Sequence, residues 1–196
     1  MRSQDVIDFF DRLAPGWDAD MIRDEERIVR ILNYAQIGRG VRVLDVACGT
    51  GVLVPDYLAR EVAGVTGVDI SPAMIARARE KFSDPRVTLI AADIEKMHFE
   101  PVFDRCVVYN AFPHFPQPAR LIGRLSSFLS PGGRLTVAHG MSRAAINTHH
   151  AGSASKVSIG LMEADALKTL FAPHFHVDVA ISEDIYVVSG TKRRAF

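Results

Sequence analysis

The chain has 196 residues, of which 48% are apolar, and its 23 basic residues (Lys and Arg) balance its 23 acidic residues (Asp and Glu). This length suits one compact domain. A protein that binds nucleic acid or an anionic membrane requires a basic surface, and a chain with a net charge of zero is not expected to have one. Two cysteines are too few for a disulfide scaffold. Together with the absence of a signal core and of any apolar run of about 18 residues, they predict a cytoplasmic protein with no membrane span.

The first 38 residues have helical patterns. Apolar residues recur at helical spacing up to Leu13, Pro15-Gly16 interrupts the pattern, and a second helix is predicted from about Asp20 to Ala35. We therefore expect a helical segment over residues 1–38, followed by the main body of a single structural domain over residues 39–196.

From residue 41 onward, short apolar runs alternate with helical patterns, which is typical of parallel strands joined by crossover helices. The last two runs are close together and predict an antiparallel hairpin. The region 140–156 is rich in Ser, Ala and His and predicts a mobile loop that holds a short helix. The predicted strands are 41–47, 65–70, 87–91, 103–109, 134–139, 176–181 and 185–189, with helices between them that include 71–82, 118–129 and 163–171.

A glycine turn follows the first predicted strand, in the pattern Asp45-x-Ala47-x-Gly49-x-Gly51. Small residues at the last three of these positions leave room for a ligand to touch the backbone, although a tight turn without a ligand has the same pattern. A dinucleotide site would have glycine where Val54 stands, and a phosphate-binding loop would have lysine where Val52 stands. The turn therefore favours a nucleoside over a pyrophosphate.

Acidic residues end the next two predicted strands. Asp69 comes 18 residues after Gly51, where a carboxylate can accept hydrogen bonds from ribose hydroxyls, and Asp93 ends the third strand. Each one alone would be an ordinary turn or capping residue. Their combination with the glycine turn favours a nucleoside site at this edge of the sheet.

These motifs resemble those of class I S-adenosylmethionine-dependent methyltransferases, in particular the small-molecule branch that acts in ubiquinone and menaquinone biosynthesis. The resemblance implies an α/β, Rossmann-like, doubly wound and mostly parallel seven-stranded sheet, in the order 3-2-1-4-5-7-6, with an N-terminal helical cap over the cofactor. The segments that carry it are residues 9–18, 45–51, 65–71, 92–94 and 129–135.

The resemblance also implies the cofactor S-adenosyl-L-methionine, the product S-adenosyl-L-homocysteine and a set of contacts. Gly49 and Gly51 would approach the methionine and ribose, with Asp45 near the ammonium group. Asp69 would hold the ribose. The adenine would meet Asp93 and the amide of Ile94, the methionine end would meet the main chain of Asn110 and Trp17, and the remaining implied cofactor positions are Ala47, Thr50 and Ile70. Alanine at position 47 departs from the first glycine common in the family, which would narrow the pocket slightly.

Four histidines lie at the end of the fifth predicted strand or after the fourth and fifth, where the acceptor of an open parallel sheet should bind. They are His114, His139, His149 and His150. One of them could serve as a catalytic base, with His139 and His114 favoured, and ordinary core or loop histidines are the alternative. A metal site built from the same side chains is a further alternative, although no pair has the spacing of helical metal ligands.

The predicted function is transfer of the sulfonium methyl group to a small-molecule acceptor by in-line displacement. Tyr109, Phe112 and Phe115 suggest a planar or apolar acceptor, although aromatic core packing explains them equally well. Nucleic acid is not an expected partner, because Asn110 lacks the Pro-Pro-Tyr sequence of DNA amino-methyltransferases and the chain lacks a basic face. A non-catalytic protein that binds S-adenosylmethionine or S-adenosylhomocysteine remains the alternative function, and the assembly could be a monomer or a homodimer.

Overall fold

The computed structural model of the protein describes residues 1–152 and 154–193, apart from the side chain of His150. The strands are β1 (Arg42–Val46), β2 (Gly64–Asp69), β3 (Val87–Ala91), β4 (Phe103–Tyr109), β5 (Leu129–His139), β6 (Phe175–Ser182) and β7 (Tyr186–Lys192). The helices are α1 (Ser3–Leu13), α2 (Trp17–Asp20), α3 (Glu25–Tyr34), α4 (Val54–Ala59), α5 (Pro72–Lys81), α6 (Pro118–Phe128), α7 (Arg143–His150) and α8 (Ala164–Phe171).

In the described part of the chain, seven strands form one sheet in the order β3-β2-β1-β4-β5-β7-β6. The first five strands are parallel, whereas β7 pairs antiparallel with both β5 and β6. The predicted fold and strand order are confirmed. The central position of β1 explains its continuous apolar run, because Val43, Leu44 and Val46 are fully buried between helices on both faces of the sheet.

Helix α5 shows how local sequence positions a functional strand end. The hydroxyl of Ser71 accepts a hydrogen bond from the amide of Met74, at 3.1 Å, and Pro72 occupies the first turn. Met74, Ile75 and Ala78 form the buried face of the helix. Because the helix starts directly after β2, its cap fixes the position of the carboxyl end of that strand.

The N-terminal segment differs from its prediction. A single helix was expected from about Asp20 to Ala35, but α2 ends at Asp20 and Met21 is extended (ψ 121°). Helix α3 begins only after Asp24, whose carboxylate caps it by accepting from the amide of Arg27, at 3.0 Å. Arg23 holds the extended linker down through an ion pair with Asp56, at 2.6 Å. These long-range contacts outweigh the local helical pattern.

Strand β5 also differs from its prediction, since it begins at Leu129 rather than at position 134. Pairing with β4 starts at Phe103 and Leu129, and resumes at Arg105 and Arg134 after a register shift. The residues between form a bulge, in which Gly132 has the positive φ (76°) that glycine adopts without strain.

The segment after β5 contains the predicted short helix. Helix α7 is capped by the hydroxyl of Ser142, which accepts from the amide of Ala145, at 3.3 Å. A 3₁₀ turn follows at Ser155–Val157, and Val157 is buried against Val6 of α1. The segment therefore packs on the N-terminal helix, while its mobility stays a prediction. Among the described residues, no helix has the length and apolar character needed to cross a membrane.

Candidate active site

A cavity of about 700 Å³ lies at the carboxyl ends of β1 to β5. Its floor consists of the residues that follow these strands, and α1, the linker before α3, and α7 surround its opening. The volume is in the range of small-molecule and cofactor sites, about 300 to 1,000 Å³. Of the eleven predicted cofactor residues, the eight that line it are Trp17, Ala47, Gly49, Asp69, Ile70, Asp93, Ile94 and Asn110.

The turn after β1 reaches the cavity through Ala47 and Gly49, both of which have φ of 55°. Alanine at position 47 is in a backbone conformation that favours glycine, so the local strain must be offset by the packing around it. A Cβ atom at Gly49 would lie 4.0 Å from Nε1 of Trp17, which shows how closely α2 approaches the turn. At Gly49 the turn therefore exposes main-chain atoms to the cavity, opposite the indole ring of Trp17.

Gly51, predicted to approach the cofactor, is not on the cavity wall. It combines a φ of 83° with close packing: a Cβ atom there would lie 2.7 Å from the ring of Phe82. Glycine is needed at this position for the turn and for the contact with the end of α5.

Asp69 ends β2 at the centre of the cavity floor. One carboxylate oxygen accepts from the amide of Gly49 and the other from the amide of Ser71, both at 2.8 Å. Burial raises the pKa of Asp69 above its ordinary value, while the two amide donors oppose that shift. Each oxygen of a carboxylate can accept about two hydrogen bonds, so this group retains capacity for hydroxyl donors in the cavity.

Asp93 and Ile94 form the part of the wall after β3. The Asp93 carboxylate accepts from the amide of Glu95, at 3.1 Å, and pairs with Lys96, at 3.2 Å. Ile94 is buried beside it. This part of the wall therefore combines a charged side chain with an apolar one.

Asp45 and Thr50, both predicted to contact the cofactor, lie behind the wall rather than on it. Asp45 is only 2% exposed, and no described residue forms a hydrogen bond with its Oδ2 atom. Burial and the nearby charge of Asp69 raise the pKa of Asp45 to about 8. Thr50 is buried as well, and its hydroxyl donates to Asp18 at 2.5 Å.

Asn110 and Trp17 meet the cavity from opposite sides. Asn110 follows β4 with a φ of 53°, and its side-chain oxygen accepts from the amide of Gly140, at 2.9 Å. Trp17 packs edge to face on Phe10, with 5.8 Å between ring centroids. Both residues are therefore held in place by contacts outside the sheet.

His114 lines the cavity, and its ring has a defined orientation. Nδ1 lies 2.6 Å from the carbonyl oxygen of Val157, which can only accept, so Nδ1 carries a hydrogen. Burial lowers the pKa of His114 below its ordinary value of 6.5, although the carbonyl opposes that shift. The imidazole is thus neutral at pH 7 and its basic nitrogen is Nε2.

The other three candidate histidines are in different surroundings. His149 is exposed on α7 and lines the cavity. His139 is fully buried, outside the cavity wall, and its ring lies 6.0 Å from that of Tyr186. The side chain of His150 is outside the described part of the structure. Among the residues that the structure describes, no group of three or more His, Cys, Asp or Glu side chains could hold a metal ion.

Two aspartates without a role predicted from the sequence, Asp11 and Asp18, reach the site from the N-terminal segment. Asp18 accepts from Thr50, and Asp11 accepts from the hydroxyl of Ser71 and, at 3.1 Å, from the amide of Ala73. Both aspartates lie in the motif at residues 9–18, and this motif is the sequence signal from which their role could have been predicted.

Residues 43–133 match the family model described as "Methyltransferase domain". A phosphatidylethanolamine N-methyltransferase of Cereibacter sphaeroides is 34% identical over 54% of this chain and 53% of its own length. A ubiquinone biosynthesis O-methyltransferase of Xanthomonas axonopodis pv. citri is 32% identical over 67% of this chain and 59% of its own length. The chain thus spans between half and three fifths of these curated relatives.

Among solved structures, the N-methyltransferase NodS from Bradyrhizobium japonicum, in complex with S-adenosyl-L-homocysteine, superposes with a TM-score of 0.74. The two sequences are 17% identical, and the match covers 96% of this chain and 98% of the other. The family model and the curated relatives confirm the resemblance inferred from the motifs, and this solved structure shares the fold.

Proposed function

We propose that this protein transfers a methyl group from S-adenosylmethionine to a small molecule, because residues 43–133 match the methyltransferase-domain model in a chain with this strand order. One observation carries the proposal. A single cavity of about 700 Å³ gathers Gly49, Asp69 and Asp93 from the ends of three adjacent strands. This is where an open α/β sheet binds a nucleoside.

The residues present fit the proposed cofactor. The bare backbone at Gly49 leaves space for the methionine moiety, and the Asp69 carboxylate would accept the ribose hydroxyls. Asp93 would take the adenine amino group, with the Ile94 amide directed to a ring nitrogen. Asn110 and Trp17 would enclose the methionine end, so that the helical segment over residues 1–38 covers the cofactor. When bound, the cofactor supplies an electrophilic methyl group on a sulfonium.

The side of the cavity away from the strand ends would take the acceptor. It is lined by apolar and aromatic side chains from three different segments: Phe9 and Phe10 of α1, Phe115, and Met141 and Ile146, which lie before and on α7. This surface favours an apolar or aromatic small molecule whose nucleophilic atom is directed toward the strand ends. The contribution of the chain is to align the nucleophile with the methyl group and to exclude water.

His114 is the proposed base. Its neutral ring lies on the cavity wall, its Nδ1–H is held by the carbonyl of Val157, and its Nε2 could accept a proton from a hydroxyl or ammonium acceptor. His149, on the exposed wall of α7, is the second candidate. His139 stays a prediction, and its burial beside Tyr186 would require strand β5 to rearrange before direct contact with an acceptor.

The test is a screen of small phenols and amines with methyl-labelled S-adenosylmethionine. We expect labelled product and S-adenosylhomocysteine in equal amounts for at least one acceptor. Tight binding of S-adenosylhomocysteine without label transfer to any acceptor would instead support a non-catalytic binding protein. Absence of binding, measured by calorimetry on the purified chain, would overturn the proposal.

A further inference from the structure

Asp11 of α1 connects the N-terminal segment to the turn after β2. Its carboxylate accepts from the hydroxyl of Ser71 and from the amide of Ala73, the latter at 3.1 Å. Ser71 is fully buried and Ala73 is in the first turn of α5. The carboxylate therefore adds a second cap to α5, where a negative charge also interacts favourably with the helix dipole.

Asp18 of α2 connects the same segment to the turn after β1. One carboxylate oxygen accepts from the Thr50 hydroxyl, at 2.5 Å, and the other pairs with Lys81, at 2.8 Å. Burial would raise the pKa of Asp18, but the hydrogen bonds from Lys81 and Thr50 outweigh it and hold the pKa below its ordinary value. Asp18 is therefore charged at neutral pH and accepts charge-assisted hydrogen bonds.

The two contacts close a continuous polar network. Asp11 binds the hydroxyl of Ser71, the amide of Ser71 binds Asp69, and the other oxygen of Asp69 binds the amide of Gly49. The next residue, Thr50, leads back to the N-terminal segment through Asp18. The network thus includes the Asp69 carboxylate, which would hold the ribose.

Trp17 lies between Asp11 and Asp18 in the sequence, so the two aspartates anchor the chain on either side of it. The residue is adjacent to Asp18, lines the cavity and faces Gly49. For α1 and α2 to move away from the cavity, both carboxylates must leave their partners.

We propose that Asp11 and Asp18 are positioning residues that latch α1 and α2 over the cofactor, so that release of the cofactor requires both contacts to open. The inference rests on the proposed function, since it takes the ligand to be S-adenosylmethionine or its product. It assigns a role to two side chains that do not line the cavity. They act on how long the ligand stays bound, because this residence time depends on the fraction of molecules in which α1 and α2 are closed over the cavity.

The experiment measures the dissociation of S-adenosylhomocysteine by stopped flow, with Trp17, the single tryptophan of the chain, as the fluorescent reporter. We expect at least tenfold faster dissociation for Asp11→Ala, Asp18→Ala and Thr50→Val. The double variant Asp18→Ala/Thr50→Val should dissociate no faster than Asp18→Ala alone, because Asp18→Ala already removes the bond to Thr50, together with the ion pair to Lys81. Asp11→Asn keeps an acceptor oxygen and should restore most of the residence time.

Asp8→Ala is the matched control, because Asp8 is an exposed carboxylate on α1 that accepts a hydrogen bond from Gln4 of the same helix. It should dissociate at the wild-type rate. Wild-type rates for Asp18→Ala and Thr50→Val would overturn the latch, as would equal acceleration by Asp8→Ala.

Hydrogen exchange of the ligand-free protein tests the latch separately from the proposed function. Amides of residues 3–20 should exchange faster in Asp11→Ala and Asp18→Ala than in Asp8→Ala, while amides of β1 and β4 stay unchanged. Equal exchange in all three variants would overturn the latch. If the variants show this pattern but the wild type does not bind S-adenosylhomocysteine, the proposed function is overturned and the cap contacts remain supported.

Discussion

The carboxylate of Asp69 accepts a hydrogen bond from the amide of Gly49, at 2.8 Å, and so joins the end of β2 to the turn after β1. The second oxygen of the same carboxylate accepts from the amide of Ser71, at 2.8 Å. One acidic side chain therefore organises two turns of the cavity floor before any ligand binds. Preorganised acceptors of this kind reduce the cost of ordering the site on binding.

Asp69→Ala should weaken the binding of S-adenosylhomocysteine by roughly tenfold to 150-fold, since loss of a charge-assisted contact costs about 1.5 to 3 kcal/mol. Titration calorimetry measures the change. Asp69→Asn, which keeps one acceptor oxygen, should lie between the wild type and the alanine variant. Glu183→Ala, an exposed control on the β6–β7 turn, should bind as the wild type does. Unchanged affinity in Asp69→Ala would remove this residue from the site.

His114→Ala should lower turnover by about 10² to 10⁴-fold with the acceptor found in the screen, while the affinity for S-adenosylhomocysteine stays within a factor of a few. The base acts in its neutral form, and burial lowers its pKa below the ordinary 6.5. Activity of the wild type should therefore hold at neutral pH and fall as the pH drops through that lowered pKa. The exposed His176→Ala, on β6, is the control. Turnover at the wild-type rate in His114→Ala would exclude this histidine as the base.

Stability should fall with rising pH because of Asp45. Its pKa in the folded protein is about 8, against an ordinary value of 3.8. Between these values the folded state holds a proton that the unfolded state has released. The stabilisation from this proton is therefore complete below about pH 4, decreases as the pH rises, and is lost by about pH 8. One proton corresponds to a slope of at most about 1.4 kcal/mol per pH unit.

The isosteric variant Asp45→Asn removes this titration and should flatten the dependence of the unfolding free energy on pH. Denaturant unfolding at several pH values between 4 and 9 provides the measurement. Equal slopes for the wild type and Asp45→Asn would show that the Asp45 carboxyl does not titrate in this range.

Gly67→Ala tests the packing of β2 against the glycine turn. A Cβ atom there would lie 2.9 Å from Sγ of Cys48 and 2.9 Å from a methyl group of Leu89. Overpacking of this kind should destabilise the protein by about 1 to 3 kcal/mol. Gly38→Ala is the matched control, because a Cβ atom there meets nothing within 4 Å. A wild-type midpoint for Gly67→Ala in denaturant unfolding would contradict the close approach of β2 to Cys48.

Local patterns determined most of the strands and helices, whereas the order of the strands in the sheet was implied by the family resemblance. The buried run of β1, the Ser71-Pro72 start of α5 and the turn between β6 and β7 each depend on neighbouring residues, and the structure has all three. The spacing of Gly49, Asp69 and Asp93 likewise placed the candidate site, because parallel strands bring their carboxyl ends to one edge of the sheet.

Tertiary contacts decided the rest. His139 was favoured as a base because it ends a strand, yet the pairing of β5 with β7 places its ring beside Tyr186 and away from the cavity wall. Asp18 meets Thr50 across a separation of 32 residues. No local pattern encodes such a contact, since it depends on how α2 packs on the glycine turn once the sheet has formed. The sequence thus determined which residues stand at the strand ends, and the packing of helices and strands decided which of them face the cavity.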